Sequence, residues 1–190
     1  MKFHNIDQNS EEWFKLRCGK VTASQFKIAY SGKSTKGYKG LIYTKRAEIR
    51  TCEYEDTFKS EWMERGSELE AIAVNEYESY TFTETSNGGF FEYNDYIGAS
   101  PDRCIGDNGL LEIKCPKAST MERYIDENRL PPEYFHQVHG QLLCSGRDYV
   151  EFVAYHPKYE LFIKRINKDE NILKEMEQKL IEFVNQIKLK

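Results

Sequence analysis

Residues 90–115 constrain the fold more than any other stretch of the chain. Three short runs rich in β-forming residues, Phe90–Tyr93, Tyr96–Ser100 and Leu110–Cys115, are broken by the turn signals Asn94-Asp95 and Gly106-Asp107-Asn108-Gly109. Helical patterns flank them. Ser10 is placed to cap a short helix over Ser10–Cys18, with Glu11 and Glu12 in its first turn and Trp13, Phe14 and Leu16 turned inward. A second helix is expected to start near Thr22 or Ser24. From Ser67 to Tyr80 the apolar residues Leu69, Ala73, Val74, Tyr77 and Tyr80 recur at three and four, which predicts a helix. Pro131-Pro132 opens another to about Ser145. Two strands, Tyr149–Tyr155 and Leu161–Ile166, meet around His156-Pro157, and a closing helix begins at a cap-like Asn167, with Leu173, Met176, Leu180, Phe183 and Ile187 on one side. This order predicts an α/β fold with a mixed central β-sheet flanked by helices.

At 190 residues one domain suffices. It divides into a helical and basic-loop segment over 1–60, a core over 61–166 and a C-terminal helix over 167–190. Thirteen Tyr, 11 Phe and two Trp supply the bulk of a packed interior, which excludes a disordered chain. No run of ~18 apolar residues occurs, and charges interrupt Met1–Phe14 where a signal peptide would be apolar, so a cytoplasmic protein without membrane contact is expected. The five cysteines form no C-x-x-C pair, which removes local support for a zinc ribbon or redox dithiol.

Net charge is −4, which argues against a protein that coats nucleic acid by bulk positive charge. The charge is unevenly spread: Lys27–Arg50 carries a net +6 and residues 51–84 a net −8. A basic lobe beside an acidic one suits an anionic ligand held next to a site that attracts cations. Ser31–Gly40 is read as a mobile basic loop; its Gly32-Lys33-Ser34 resembles the end of a phosphate-binding P-loop, but Lys27 stands where that motif needs glycine and no strand precedes it.

The strongest local pattern is Ser100-Pro101-Asp102 followed by Glu112-Ile113-Lys114 on the neighbouring strand. Residues two apart on a strand share a face, so Glu112 and Lys114 lie together. Asp102 joins them only in one hairpin register. A two-residue turn at Asn108-Gly109 would set Asp102 opposite Cys115 and turn it away. A three-residue loop, Asp107-Asn108-Gly109 with Gly109 left-handed, sets Asp102 opposite Lys114 and Cys104 opposite Glu112, and this register is expected. Glu70 is the third acid, an ionisable group on the apolar stripe of its helix, where burial is costly unless something pairs it. Three carboxylates and a lysine suit Mg²⁺ or Mn²⁺ acting on a phosphate ester. An acid-x-Lys pair taken alone describes a surface ion pair; the combination with Asp102 and Glu70 is what points to chemistry.

Five segments in order, Trp13–Gly19 with Thr22-Ala23-Ser24, Arg65-Gly66 with Glu70, Ser100-Pro101-Asp102, Glu112–Pro116 and Gln137–Leu142, resemble the lambda exonuclease/YqaJ-like viral recombinase family over roughly residues 8–157. The resemblance implies a restriction-endonuclease-like PD-(D/E)XK core and Mg²⁺-dependent digestion of linear duplex DNA from its 5′ end. That would leave 3′ single strands for phage-type recombination. By position, Glu70, Asp102, Glu112 and the backbone carbonyl of Ile113 would ligate metal, with two ions per site, and Lys114 would be the catalytic lysine. Arg17, Ser24 and Ser100 would hold the DNA 5′-phosphate. The resemblance also implies double-stranded DNA ends as substrate, a homotrimer, a single-strand annealing protein as partner, and a phage or prophage origin in a bacterial cytoplasm.

Two positions depart from the family pattern. Arg103 replaces a usual glycine, and His139 stands where a glutamine near the metals is usual, flanked by Gln137 and Gln141. His139 is therefore a candidate ligand, suited to a softer ion such as Mn²⁺. The same site on this fold could belong to an endonuclease, or to a DNA-binding module that has lost catalysis.

Overall fold

The computed structural model describes residues 1–54 and 61–188; of residues 61–68 only the helical backbone is described, so Arg65 and the side chains around it lie outside the description. Ser10 caps helix α1, Glu11–Arg17, by accepting from Trp13 N at 3.2 Å. Strand β1, Lys2–His4, precedes it. After α1 come β2, Val21–Thr22, a 3-10 turn over Ala23–Gln25 and the short helix α2, Phe26–Ala29. Helix α3 spans Lys36–Thr51 and begins where a mobile loop was expected: the Thr35 side chain accepts from Tyr38 N, and Lys36–Gly40 form the first turns. Helix α4 spans Glu61–Thr81.

The five expected strands are present, but the strands divide into two sheets. One has the order β1-β4-β5-β2, with β4 at Phe90–Asn94 and β5 at Ile97–Ala99. The other has the order β3-β6-β7-β8-β9, from Thr85–Asn87, Arg103–Ile105, Gly109–Lys114, Tyr149–Ala154 and Phe162–Asn167. The chain therefore leaves one sheet and enters the other at Ser100-Pro101-Asp102. Proline cannot donate to a ladder, which ends β5 there. Gly88-Gly89, between β3 and β4, makes the opposite crossing. The two crossings touch: a Cβ on Gly88 would lie 1.9 Å from the Pro101 carbonyl oxygen. Gly88→Ala is accordingly expected to destabilise the protein by about 1–3 kcal/mol, read as a lowered urea midpoint, because backbone cannot yield as a side-chain tip can.

Strand β7 is central. It runs antiparallel to β6 and parallel to β8, and the crossover between β7 and β8 carries α5, Ala118–Glu127, and α6, Phe135–Ser145. A parallel pair demands such a crossover, and α5 was not expected from the sequence. Leu110 faces the large core with Cys104, Phe152, Leu142 and Met176, while Leu111 and Ile113 pack on the other side with Ala73 and Tyr77 of α4. The sheet thus separates α4 from α6 and from the last helix, α7, Glu170–Ile187. Its cap is Asp169, whose carboxylate accepts from Asn171 N and Ile172 N; Asn167 instead ends β9 opposite Tyr149. No helix among the described residues is long and apolar enough to cross a membrane.

Candidate active site

The site forms at the C-terminal end of β7. Arg103 pairs with Leu111 and Ile105 with Gly109, so Asp102 falls opposite Glu112 rather than Lys114. The loop has three residues as expected, but they are Gly106, Asp107 and Asn108, with the left-handed residue at Gly106 (φ +51°) and not at Gly109. The register differs from expectation by two residues, and a shift of two leaves every side chain on its face. Asp102 N donates to Leu111 O at 3.1 Å, and the Asp102 carboxylate accepts from Ile113 N at 2.6 Å, replacing a ladder carbonyl beyond the end of β6.

Glu112 is buried and fully engaged. Gln137 Nε2 donates to one of its oxygens at 2.5 Å, Gln141 Nε2 donates to the other, and Lys114 Nζ pairs with it. Gln137 and Gln141 are four apart on α6 and so share a face. His139 lies about 200° around the helix from that face. Its Nδ1 meets the Phe135 carbonyl at 2.8 Å and its ring stacks on Phe135 at 4.2 Å. The structure therefore does not bring His139 to the carboxylates; Gln137 and Gln141 occupy the place considered for it. Burial pushes the His139 imidazole below its ordinary pKa, against the Phe135 carbonyl and Asp169.

Glu70 reaches the site from α4 on the opposite face of the sheet. Burial raises its pKa, the Lys114 ammonium works against that rise, and Glu112 adds to it. Asp102 is raised well above the aspartate range by burial and then by Glu112, with Lys114 and the Ile113 amide opposing. For Lys114 burial disfavours the charge, but Glu112 and Asp102 outweigh it and hold the ammonium above the ordinary lysine range. The charge balance is thus incomplete: three acids share Lys114, and Arg103 opposes only the rise of Glu70. Among the described residues no three acid, histidine or cysteine groups converge as a ready coordination shell. The donors nevertheless fit a hard divalent cation, because they are oxygens and their mutual repulsion is uncompensated. Arg103 is turned aside, donating to Thr85 Oγ1 at 3.0 Å and to Thr85 O at 3.1 Å.

The second group of expected residues also assembles. Arg17 Nη2 donates to Thr22 Oγ1 at 3.3 Å, and Thr22 Oγ1 lies 3.3 Å from Ser24 Oγ. The Arg17 guanidinium stacks 4.0 Å over the Trp13 ring, whose Nε1 donates to Ser100 Oγ at 2.8 Å. Arg17, Ser24 and Ser100 are therefore joined through Thr22 and Trp13, two residues that sequence reasoning had not assigned to the site. Arg17 Nε is buried with no hydrogen-bond partner, a cationic donor set short of an acceptor. Ser100 directly precedes Pro101-Asp102, which links this cradle to the carboxylates. The basic strip is partly spent within the protein: Lys33 pairs with Glu182, Lys45 with Glu48, and Arg46 holds the Gln186 carbonyl. Lys27, Lys36, Lys39 and Arg50 stay exposed.

Residues 12–148 match the model of the YqaJ-like viral recombinase domain. The chain belongs to that family. An alkaline exonuclease from Laribacter hongkongensis, LHK-Exo, is 31% identical over 94% of this chain and 92% of its own, with a TM-score of 0.85. The same enzyme in complex with dAMP gives 30% identity and a TM-score of 0.86 over the same shares. A phage-related exonuclease from Haemophilus somnus is 16% identical over 88% of this chain and 91% of its own, with a TM-score of 0.61, a likeness of fold. No curated protein matches the chain in sequence. The mixed sheets and flanking helices of this YqaJ-like domain are those of a PD-(D/E)XK core.

Proposed function

We propose that this YqaJ-like domain is a metal-dependent exodeoxyribonuclease that digests one strand of linear duplex DNA from its 5′ end. The observation that carries the reading is the convergence of Asp102, Glu112 and Lys114 at the end of β7, within charge reach of Glu70. The exonuclease relative at 31% identity supports it. Glu70, Asp102, Glu112 and the Ile113 carbonyl would hold Mg²⁺, and two ions would fit the number of oxygens. What a divalent ion supplies there when bound is Lewis-acid polarisation of the scissile phosphate. Gln137 and Gln141 fix both oxygens of Glu112, so its orientation is set before substrate arrives. Lys114, held protonated, presents positive charge to the phosphoryl oxygens as negative charge builds on them.

The cradle of Arg17, Thr22, Ser24 and Ser100 supports the choice of a 5′-phosphorylated end. A guanidinium with an unused buried donor matches phosphate oxygens, and hydroxyls add neutral donors beside it. The exposed Lys27, Lys36, Lys39 and Arg50 would meet the duplex backbone. The test follows linear duplex, labelled on one or the other strand, and covalently closed circular DNA, each with Mg²⁺ and with EDTA. Loss of the linear substrate alone, from the 5′ end and only with metal, is expected. Nicking of the circle moves the function to an endonuclease, and retention of DNA without cleavage in Mg²⁺ or Mn²⁺ makes the protein a binding module.

A further inference from the structure

Helix α3 buries an ion pair that the proposed reaction does not use. Lys45 and Glu48 are each 1% exposed, with Nζ 2.9 and 3.1 Å from the two carboxylate oxygens. A buried pair often contributes no more stability than apolar residues of the same volume would, so its presence asks what arrangement it specifies. Glu48 reaches out of its own helix at two points. Its Oε2 accepts from Gly19 N at 2.8 Å, and its backbone carbonyl accepts from Cys18 Sγ at 3.4 Å. Both contacts land on the turn that follows Arg17. Gly19 is left-handed (φ +72°), and a Cβ there would lie 2.8 Å from Ile49 Cγ1, so the turn is seated directly on α3. Lys45 Nζ lies 5.5 Å over the Tyr54 ring, on which the Arg17 guanidinium also stands at 6.0 Å.

We infer that Lys45 and Glu48 are positioning residues that set the Arg17-Cys18-Gly19 turn and thereby aim the Arg17 guanidinium at the phosphate of a DNA 5′ end. This rests on the assignment of Arg17 to the 5′-phosphate made above. Arg17 ends α1, where a helix of seven residues cannot by itself fix a long side chain. Glu48 anchors the turn from α3, and Lys45 holds the Glu48 carboxylate in place. Neither touches substrate.

The experiment compares kcat/KM on duplexes bearing a 5′-phosphate or a 5′-hydroxyl, with Mg²⁺, for full-length variants checked for folding by circular dichroism. Lys45→Met/Glu48→Leu removes both charges and the acceptor for Gly19 N. Its preference for the phosphorylated end is expected to fall about 10- to 100-fold, the scale of a misplaced binding group, with hydrolysis of the 5′-hydroxyl duplex kept. Lys45→Met/Glu48→Gln restores an acceptor for Gly19 N without the Lys45 ammonium that holds it, and is expected to recover only part of the preference. Arg17→Ala separates the two layers of the inference. If Arg17→Ala abolishes the preference and both double variants keep it, or if Lys45→Met/Glu48→Leu slows both substrates equally, the pair is only core filling and the inference is overturned. If the wild type has no preference, or Arg17→Ala does not change it, the Arg17 assignment fails first and the positioning role fails with it. Lys45→Met/Glu48→Met supplies a second chain without the acceptor if the leucine variant does not fold.

Discussion

Lys114→Met is expected to lower turnover on linear duplex DNA by about 10²–10⁴-fold at saturating Mg²⁺ while leaving end binding intact. The Lys114 side chain is 27% exposed at the end of β7, and methionine keeps an apolar stem there while removing the charge. The ammonium is paired with Glu112 and lies 5.5 Å over the Tyr134 ring, so it is held in place before any substrate is present. Its loss also removes the cation that opposes the rise of Asp102 and, together with Arg103, that of Glu70, so both are expected to rise further. Because the proposed reaction needs the ionised carboxylates, the ascending limb of the variant's residual pH–rate profile is expected to move to higher pH. A fall of less than tenfold with an unmoved limb would reduce Lys114 to the counter-ion of Glu112.

Asp102→Asn is expected to abolish activity and yet to stabilise the protein in EDTA, by about 1 kcal/mol or a rise in Tm of about 2–4 °C. Burial and then Glu112 disfavour the charged carboxylate. A group raised in the folded state binds its proton more tightly there than in the unfolded chain. Stability without metal is therefore lost as pH rises from the ordinary aspartate range near ~4 through the raised value. Asparagine removes that loss and can still accept from Ile113 N. Mg²⁺ should reverse the order, because only the wild type gains binding free energy from the ion. Equal melting temperatures in EDTA, or equal stabilisation of both proteins by Mg²⁺, would separate Asp102 from the cation site.

The site was legible in the sequence to the extent that it follows from periodicity. Glu112 and Lys114 share a face in any strand, and the two-residue error in register did not disturb Asp102 because the alternation has the same period. His139 was a candidate because the resemblance set it where a glutamine is usual; an advance of about 100° per residue turns it away from the face that carries Gln137 and Gln141, and these two reach Glu112 instead. Helix α3 was missed, in its first turns because Gly37, Gly40 and three lysines in 31–40 imitate a loop. Its signal was Tyr38, Leu41, Lys45 and Glu48 at spacings of three and four, but two members of that stripe are charged. A buried ion pair cannot be told from a solvated one by spacing.

The sequence by itself determined the strands β4, β5, β7, β8 and β9, the helices α1, α4, α6 and α7, and which acid and lysine lie near each other along β7. These are short-range consequences of side-chain alternation, capping and turn chemistry. Only the tertiary structure decided that the strands split into two sheets, and that Glu70 approaches from the far face. It also decided that Gln137 and Gln141 hold Glu112, and that Arg17 stands between Trp13 and Tyr54 with an unused donor. Those pairings join residues tens of positions apart, and their geometry is set by how layers pack, which no local pattern encodes.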